Sequence, residues 1–310
     1  MDVVKRAIKK HDLGMKFFCW ILIKLGYSNY DLQALQISNK KFLKLKKKYG
    51  DYLDKLEIEN RHKKNVPNNN VWICWFQGIE KAPDIVKKCN ETVKCFLKDK
   101  EIHIITEENM YEYVDVPSYI REKFEDRTIS YAHMSDVLRT MLLVKYGGMW
   151  LDGTVFLTDK IPQYIYDKPL FLLQYKFKDD LTIVKNSWFI YAQKDNRILK
   201  AVQELLFEYW KRERVLREYF LWHNFLKMVL DKYEEDADDI YYVSEEMAHD
   251  LSYVLYKRFD PVYWEQLIRW STIHKLSYYI YHTKDGKRPD NISGTYYEHI
   301  MNMDFGDNNE

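Results

Sequence analysis

Three charged side chains in one short stretch carry the chemistry open to this chain. In SDVLRTMLLVKYGGMWLDGTV, Ser135 to Val155, Asp136 and Arg139 stand three residues apart and Asp152 follows a wholly apolar run. The i, i+3 spacing puts Asp136 and Arg139 on one face of a helix. Met149 to Leu151 reads as a short buried strand, with Asp152 at its carboxyl end. A carboxylate buried there is costly unless a metal, a cation or hydrogen-bond donors compensate it. Two carboxylates and a guanidinium in one crevice would suit a metal, a ribose or a sugar hydroxyl. Taken singly, an Asp–Arg pair is most often a solvated surface pair and a Gly-Gly pair only a helix stop. The order of the elements favours a site.

Those residues need a frame. Ser130 starts the helix, Gly147 and Gly148 supply a left-handed cap, and the strand then delivers Asp152 to the end where ligands bind in open α/β sheets. Upstream, Val71 to Trp75 is a continuous apolar run that suits a buried parallel strand. Pro83 opens a helix with Ile85, Val86, Cys89 and Val93 on one side, and Glu101 to Ile105 is a second strand. Thr106 caps a short helix beginning at Glu107, and Pro117 with Ser118 opens another. This alternation is the nucleotide-binding half of a doubly wound sheet. Val155 to Leu157, Pro169 to Tyr175 and Thr182 to Ala192 read as further strands. Asn196 to Arg212, Val215 to Tyr233 and Glu245 to Lys257 read as helices. Residues 1–64 read as helices, and the polar stretch Arg61 to Asn70, with Pro67, marks a boundary. The expected organisation is a helical region over 1–64, an α/β domain over 65–305 and a disordered tail over 306–310. No G-x-G-x-x-G run follows a predicted strand, which argues against a dinucleotide oxidoreductase.

The segment resembles the capsular polysaccharide synthesis family of glycosyltransferases, relatives of the sugar-binding DXD-motif enzymes that include mannosyltransferases and glucosylating toxins. The family's pattern appears here as Ser135, Asp136, Arg139, Tyr146, Gly147, Gly148, Trp150, Leu151 and Asp152, with Trp72, Trp75, Gln77, Gly78 and Pro83 upstream. The resemblance is close from Val71 to Pro162. It continues through EYFLWHNFL, HKLSYY and GTYYEHI. It implies an α/β, GT-A-like fold with a single Rossmann-type sheet and added helices at the amino end and in the carboxyl half. It also implies a retaining hexosyltransferase that moves galactose, or next glucose, from a UDP-sugar to a lipid-linked oligosaccharide in bacterial capsule synthesis.

Carried over residue by residue, the resemblance makes Asp152 the leading ligand for Mn²⁺ or Mg²⁺. Asp136 is expected on donor sugar hydroxyls or ribose with Arg139 orienting it, and Trp75 and Gln77 on the uracil or ribose. Tyr131, Ser135, Gly148, Trp150, Leu151 and Thr154 complete the expected donor site. Asn186, with Ser187 and Trp188 beside it, approaches the anomeric carbon and counts with Asp136, Arg139 and Asp152 as catalytic. The second DXD carboxylate is absent, since Gly153 and Thr154 follow Asp152. Either one aspartate with the phosphates and waters holds the metal, or His274 and Lys275, followed by Lys287, take over part of the charge. Tyr219, His223 and Asn224 are expected to line an acceptor pocket. A plain amphipathic helix with Phe220, Trp222 and Phe225 as core explains that stretch equally well. Two alternatives stay open: transfer to a protein or glycolipid acceptor, and a non-catalytic nucleotide-sugar-binding member of a capsule assembly complex.

Composition fits an ordinary globular enzyme. The 310 residues are 46% apolar and 31% charged, and a net charge of +1 gives no argument for nucleic acid. Cys19, Cys74, Cys89 and Cys95 lack metal spacing and suit a reducing cytosol. Met1 to Lys10 is basic, and the apolar block Met15 to Tyr27 is too short, and too interrupted by Lys16 and Lys24, to span a bilayer. No small-residue cleavage site follows it. With the lysine-rich helical stretch Asn39 to Leu56, this leaves two readings: helices packed on the α/β domain with lysines toward water, or peripheral contact with anionic lipid. The lipid-linked acceptor that the resemblance implies favours the second, at the cytoplasmic face of the bacterial plasma membrane.

Overall fold

A computed structural model of the chain describes residues 30–59, 68–174, 185–278 and 291–305, together with Ile21 and Lys24. The amino half runs α1 (Tyr30–Lys55), β1 (Asn70–Cys74), α2 (Asp84–Phe96), β2 (Glu101–Ile105), α3 (Met110–Tyr113), α4 (Ser118–Glu125), α5 (Tyr131–Tyr146), β3 (Gly148–Asp152) and β4 (Val155–Leu157). There follow β5 (Leu170–Gln174), β6 (Lys185–Ala192), α6 (Arg197–Arg212), α7 (Leu221–Lys232), α8 (Glu234–Asp238), α9 (Glu246–Val254), α10 (Pro261–Trp270), β7 (Ile273–Lys275) and α11 (Tyr296–Asn302). The α/β class expected from the sequence is what the chain forms. The expected disorder of 306–310, most of the apolar block Met15 to Tyr27, and Lys287 lie outside the described residues.

One mixed sheet has the order β2-β1-β3-β6-β5. Its first three strands are parallel, as the strand–helix alternation predicts, whereas β6 is antiparallel to both β3 and β5. Only residues 175–184 separate β5 from β6, too few for the crossover helix that a parallel return needs. β4 leaves this sheet and pairs with β7, setting Val155 opposite Lys275 and Phe156 opposite His274. Alternate side chains of each strand go to opposite faces. Trp72, Trp150 and Ile190 pack with α5, α6 and α7, while Val71, Met149, Leu151 and Phe189 pack on the other side. Both faces are covered, so the strands read as unbroken apolar runs instead of alternating ones. α1 joins the first of these cores through Phe42, Tyr49 and Leu53. Its Lys41 pairs with Glu218 at 2.9 Å and its Lys48 with Glu213, while Lys40, Lys44 and Lys47 point to solvent.

Several local readings change. Gly147 has φ 71 and ψ −165, and Gly148 has φ 101, so the pair is not a left-handed helical cap. It is a positive-φ passage open to glycine alone, and it lets the chain leave α5 and enter β3 without a loop. Asn68 Nδ2 donates to the Tyr146 carbonyl at 2.6 Å and Trp72 Nε1 to that of Gly147 at 2.9 Å, closing the end of α5. Thr106 and Asn109 bond each other's backbone N–H, and the helix starts only at Met110. The helix expected over 215–233 begins at Leu221. The buried Tyr209 hydroxyl donates to the Val215 carbonyl and accepts from the Arg217 N–H, which satisfies that backbone without a helix. α10 was not anticipated, although Asp260-Pro261 is an N-terminal signal: Asp260 Oδ1 accepts from the N–H groups of Val262 and Tyr263.

Two consequences can be measured. A Cβ on Gly148 would stand 2.3 Å from the Asn70 carbonyl oxygen, whereas one on Gly50, inside α1, would meet nothing within 4 Å. In denaturant unfolding Gly148→Ala should therefore lose on the order of 3 kcal/mol or fail to fold. Gly50→Ala should gain about 0.5–1 kcal/mol, and equal effects would refute the assignment of strain. The second concerns His274, which is fully buried in β7 with Nε2 3.3 Å from Thr158 Oγ1. Burial lowers its pKa to about 4, so between the ordinary imidazole value and that value the unfolded chain binds a proton that the folded one refuses. Stability should fall as pH drops from about 6.5 to 4.5. His274→Leu should remove on the order of 2 kcal/mol of that loss, read from melting across the range.

Candidate active site

At the carboxyl ends of β1 and β3 lies a cleft of about 910 Å³. Parallel strands place their carboxyl ends together, and α5 lies behind them, so the cleft's inner wall comes from β1, α5 and β3 at once. The antiparallel β6 starts where β3 stops. Leu151 faces Phe189, so Trp188, Ser187 and Asn186 lie just beyond the tip, beside Asp152.

Asp152 is held from three sides. Its Oδ1 accepts from Trp150 Nε1 at 3.0 Å and lies 3.4 Å from Arg139 Nη2; its Oδ2 accepts from Lys275 Nζ at 2.9 Å. The side chain keeps 27% of its exposure. Burial alone would push its pKa up, yet Lys275 and Arg139, with the indole N–H, outweigh it and hold the carboxyl below its ordinary value. Arg139, on α5, is itself fixed: Nη1 donates to the Ser187 carbonyl at 2.6 Å, Nη2 to Ser135 Oγ at 3.1 Å, and the guanidinium lies 5.0 Å from the Trp150 ring. Nη2 also stands 3.5 Å from Asp136 Oδ1. One arginine thus joins both carboxylates. Lys275 reaches the cleft because β7 pairs with β4; its Nζ donates to Thr154 Oγ1 at 2.7 Å as well as to Asp152. Gly153, between them, brings the backbone so close that a Cβ there would stand 3.2 Å from the Trp75 ring.

Of the residues read from the sequence, Trp75, Gln77, Tyr131, Ser135, Asp136, Arg139, Asp152, Thr154, Asn186, Tyr219, His223 and Lys275 line this one cleft. Five do not. Gly148 begins β3, at the opposite end of the strand from Asp152. Leu151 is wholly buried in the core on the far face of the sheet, and the buried Trp150 reaches the site only indirectly, through its indole N–H on Asp152 and its ring against Arg139. His274 neighbours Lys275 on β7, and successive strand residues point opposite ways, so its ring goes to the interior. Asn224 is buried and bonds the Phe220 carbonyl through Nδ2 at 2.7 Å, closing the first turn of α7 instead of facing an acceptor.

Sequence reasoning missed three supports. Trp210 Nε1 donates to His133 Nε2 at 2.9 Å. Since an indole only donates, the neutral His133 carries its proton on Nδ1, which faces Asp136 Oδ2 across 3.5 Å. The i, i+3 spacing of His133 and Asp136 was a usable signal. Buried Glu245 accepts from Asn186 Nδ2 and from Trp188 Nε1 at 3.0 Å, and lies 3.0 Å from His249 Nε2. Nothing in its local sequence announced that role. Lys81 lines the outer side as an exposed cation.

The charged lining is therefore Lys81, Arg139 and Lys275 against Asp136 and Asp152, an arrangement suited to an anion. The expected Mn²⁺ or Mg²⁺ site, one aspartate completed by phosphates and waters, has both Asp152 oxygens already facing cations, so the charged lining as it stands favours an anion over a divalent ion.

Comparison with known proteins shows which family the chain falls in. Over 163 residues the chain is 25% identical to the O-glycosyltransferase braB of Annulohypoxylon truncatum, a match covering 46% of this chain and 38% of that protein. The chain thus spans well under half the length of that curated relative. The solved PaToxG glycosyltransferase shares 16% identity at a TM-score of 0.36, over 65% of this chain and 79% of its own. The family described as capsular polysaccharide synthesis protein matches residues 24–300, nearly the whole sequence, and the chain belongs to that family.

Proposed function

We propose that the protein is a glycosyltransferase that moves a hexose from a nucleoside diphosphate sugar to a lipid-linked saccharide during capsule synthesis. UDP-galactose is the favoured donor and UDP-glucose the next. The observation that most supports this reading is Asp152, held between Arg139 and Lys275 in a cleft that also offers aromatic faces. A diphosphate calls for cations, sugar and ribose hydroxyls for carboxylate acceptors, and a nucleobase for a ring or a buried edge. Trp75, Gln77 and Tyr131 line the side suited to the base and ribose. Asp136 and Arg139 suit the donor hydroxyls, and Lys81 and Lys275 the phosphates.

In the transfer, the bond between the anomeric carbon and the bridging phosphate oxygen breaks while the acceptor oxygen bonds to that carbon. The departing diphosphate takes the acceptor's proton. Retention of configuration follows from the family resemblance. Catalysis then rests on positioning and on charge stabilisation of the leaving group, with no side-chain nucleophile. Asn186 stands near the expected anomeric position, anchored by Glu245. On the opposite rim, Tyr219 and Phe220 are exposed aromatic faces suited to a saccharide. Burial lowers the His223 pKa to about 4, so at neutral pH its uncharged ring can accept a hydrogen bond from the acceptor hydroxyl.

α1 supports a membrane-proximal acceptor. Lys40, Leu43, Lys44 and Lys47 recur at i, i+3, i+4 and i+7 and are all exposed, Leu43 by 55%. An apolar residue among outward lysines suits peripheral contact with anionic lipid. No helix among the described residues is long and apolar enough to cross a membrane.

Hydrolysis and transfer assays with a panel of nucleotide-sugars test the reading. Asp152→Asn keeps the shape but removes the charge that Arg139 and Lys275 share, and should lower kcat/KM by about 100-fold or more. Unchanged turnover would remove that carboxylate from the mechanism. His223→Ala should raise the acceptor KM by about tenfold and slow donor hydrolysis far less, whereas equal losses in both would place His223 on the donor side.

A further inference from the structure

We propose that Lys275 supplies the positive charge that a divalent cation would otherwise bring to the leaving diphosphate, so that this protein binds its donor and transfers the sugar without a metal. The proposal rests on the glycosyltransferase reading above. Its first support is where Lys275 sits. The residue two beyond Asp152, where a second acid would complete a DXD pair, is Thr154, and Lys275 Nζ donates to its hydroxyl at 2.7 Å. The same ammonium donates to Asp152 Oδ2 at 2.9 Å. A cation ligated by these two positions would have to occupy the space that Nζ fills.

Its second support is charge. Asp152 meets Arg139 on one oxygen and Lys275 on the other, and Lys81 adds a third cation to the lining. A divalent ion drawn to that carboxylate would face two positive groups within contact distance, with Asp136 engaged by the same Arg139 at 3.5 Å. A diphosphate meets the opposite situation, since each of those groups attracts it.

Its third support is the fixity of the ammonium. The β4–β7 pairing sets Lys275 opposite Val155, the Leu276 N–H donates to the Thr154 carbonyl at 2.9 Å, and Nζ lies 5.9 Å from the Trp188 ring centroid. An ammonium has three donors, and the two described partners use two. The third is available to a phosphate oxygen. As the bond to the anomeric carbon breaks, its electron pair stays on the diphosphate, and a preorganised ammonium beside a guanidinium stabilises that added charge.

Calorimetric titration of the full chain with UDP, GDP and dTDP, in EDTA and then in Mn²⁺ or Mg²⁺, tests this directly. The wild-type protein should bind its nucleotide with affinities within about threefold in the two conditions, and donor hydrolysis should survive EDTA. Lys275→Ala should weaken nucleotide binding in EDTA by about tenfold or more, while Lys275→Arg retains most of it. Binding or turnover that collapses in EDTA and returns with Mn²⁺ would overturn the proposal, and this wild-type arm needs no variant to fold. A folded Lys275→Ala protein with undiminished affinity would overturn it too. If none of the three nucleotides binds in either condition, the donor reading itself fails and the proposal falls with it.

Discussion

A half-hidden carboxylate cannot stay charged at the tip of a buried strand without partners, and the architecture around Asp152 answers that constraint. The partners come from three directions in sequence: Trp150 from β3 itself, Arg139 from the helix before it, and Lys275 from β7, 123 residues later. Each is held by bonds of its own, through Ser135 and the Ser187 carbonyl for Arg139 and through Thr154 for Lys275. The charge therefore sets more than a local contact. It fixes the approach of α5 to β6 and of the β4–β7 ribbon to the main sheet. Buried or half-buried ion pairs are weak evidence for net stability, but they specify geometry where a preorganised site is needed.

The backbone makes this convergence possible at short range. α5 turns into β3 across two glycines, with no loop to move Asp136 and Arg139 away from the strand tip. Asn70, Asn68 and Trp72 crowd that passage, so the parallel pairing of β1 with β3 and the exit of the helix are one structural event. Gly153 does the corresponding work at the other end of β3. It lets the chain pass under the Trp75 ring, so an aromatic wall and a charged floor meet at one corner.

Local signals in the sequence carried much of this. The i, i+3 pair, the apolar strand ending in an acid and the proline-led helix starts each describe neighbours along the chain, and those pieces formed close to where they were expected. What escaped depended on distant partners. The antiparallel direction of β6, the β4–β7 ribbon and the burial of His274 follow from strand pairing that no local pattern reveals. The loss of helix before Leu221 follows from one buried hydroxyl, that of Tyr209, competing for backbone groups. Asn224 had the polarity of a ligand-binding residue, but its amide serves the helix that carries it. Glu245 is the clearest loss: it looks like a helix-start acid, yet it gathers Asn186, Trp188 and His249 around one buried carboxylate.

The division of labour within the cleft follows from these placements. Arg139, Lys275, Asp136 and Asp152 sit on the inner side, against the sheet and α5, and the exposed rings of Tyr219 and Phe220 sit on the segment that Tyr209 keeps out of helix. An activated donor needs fixed charges, because its diphosphate gains charge only as the bond breaks and the protein cannot rearrange in time. A saccharide acceptor needs faces and adaptable hydrogen bonds, which a short irregular segment in front of α7 can present. In the proposed reading His223 stands where donor and acceptor meet, near both Asp136 and Arg139, and its uncharged ring adds nothing to the charge that the donor side must balance. That neutrality is a consequence of burial, so the packing of α7 against the sheet is part of the chemistry and not merely its support.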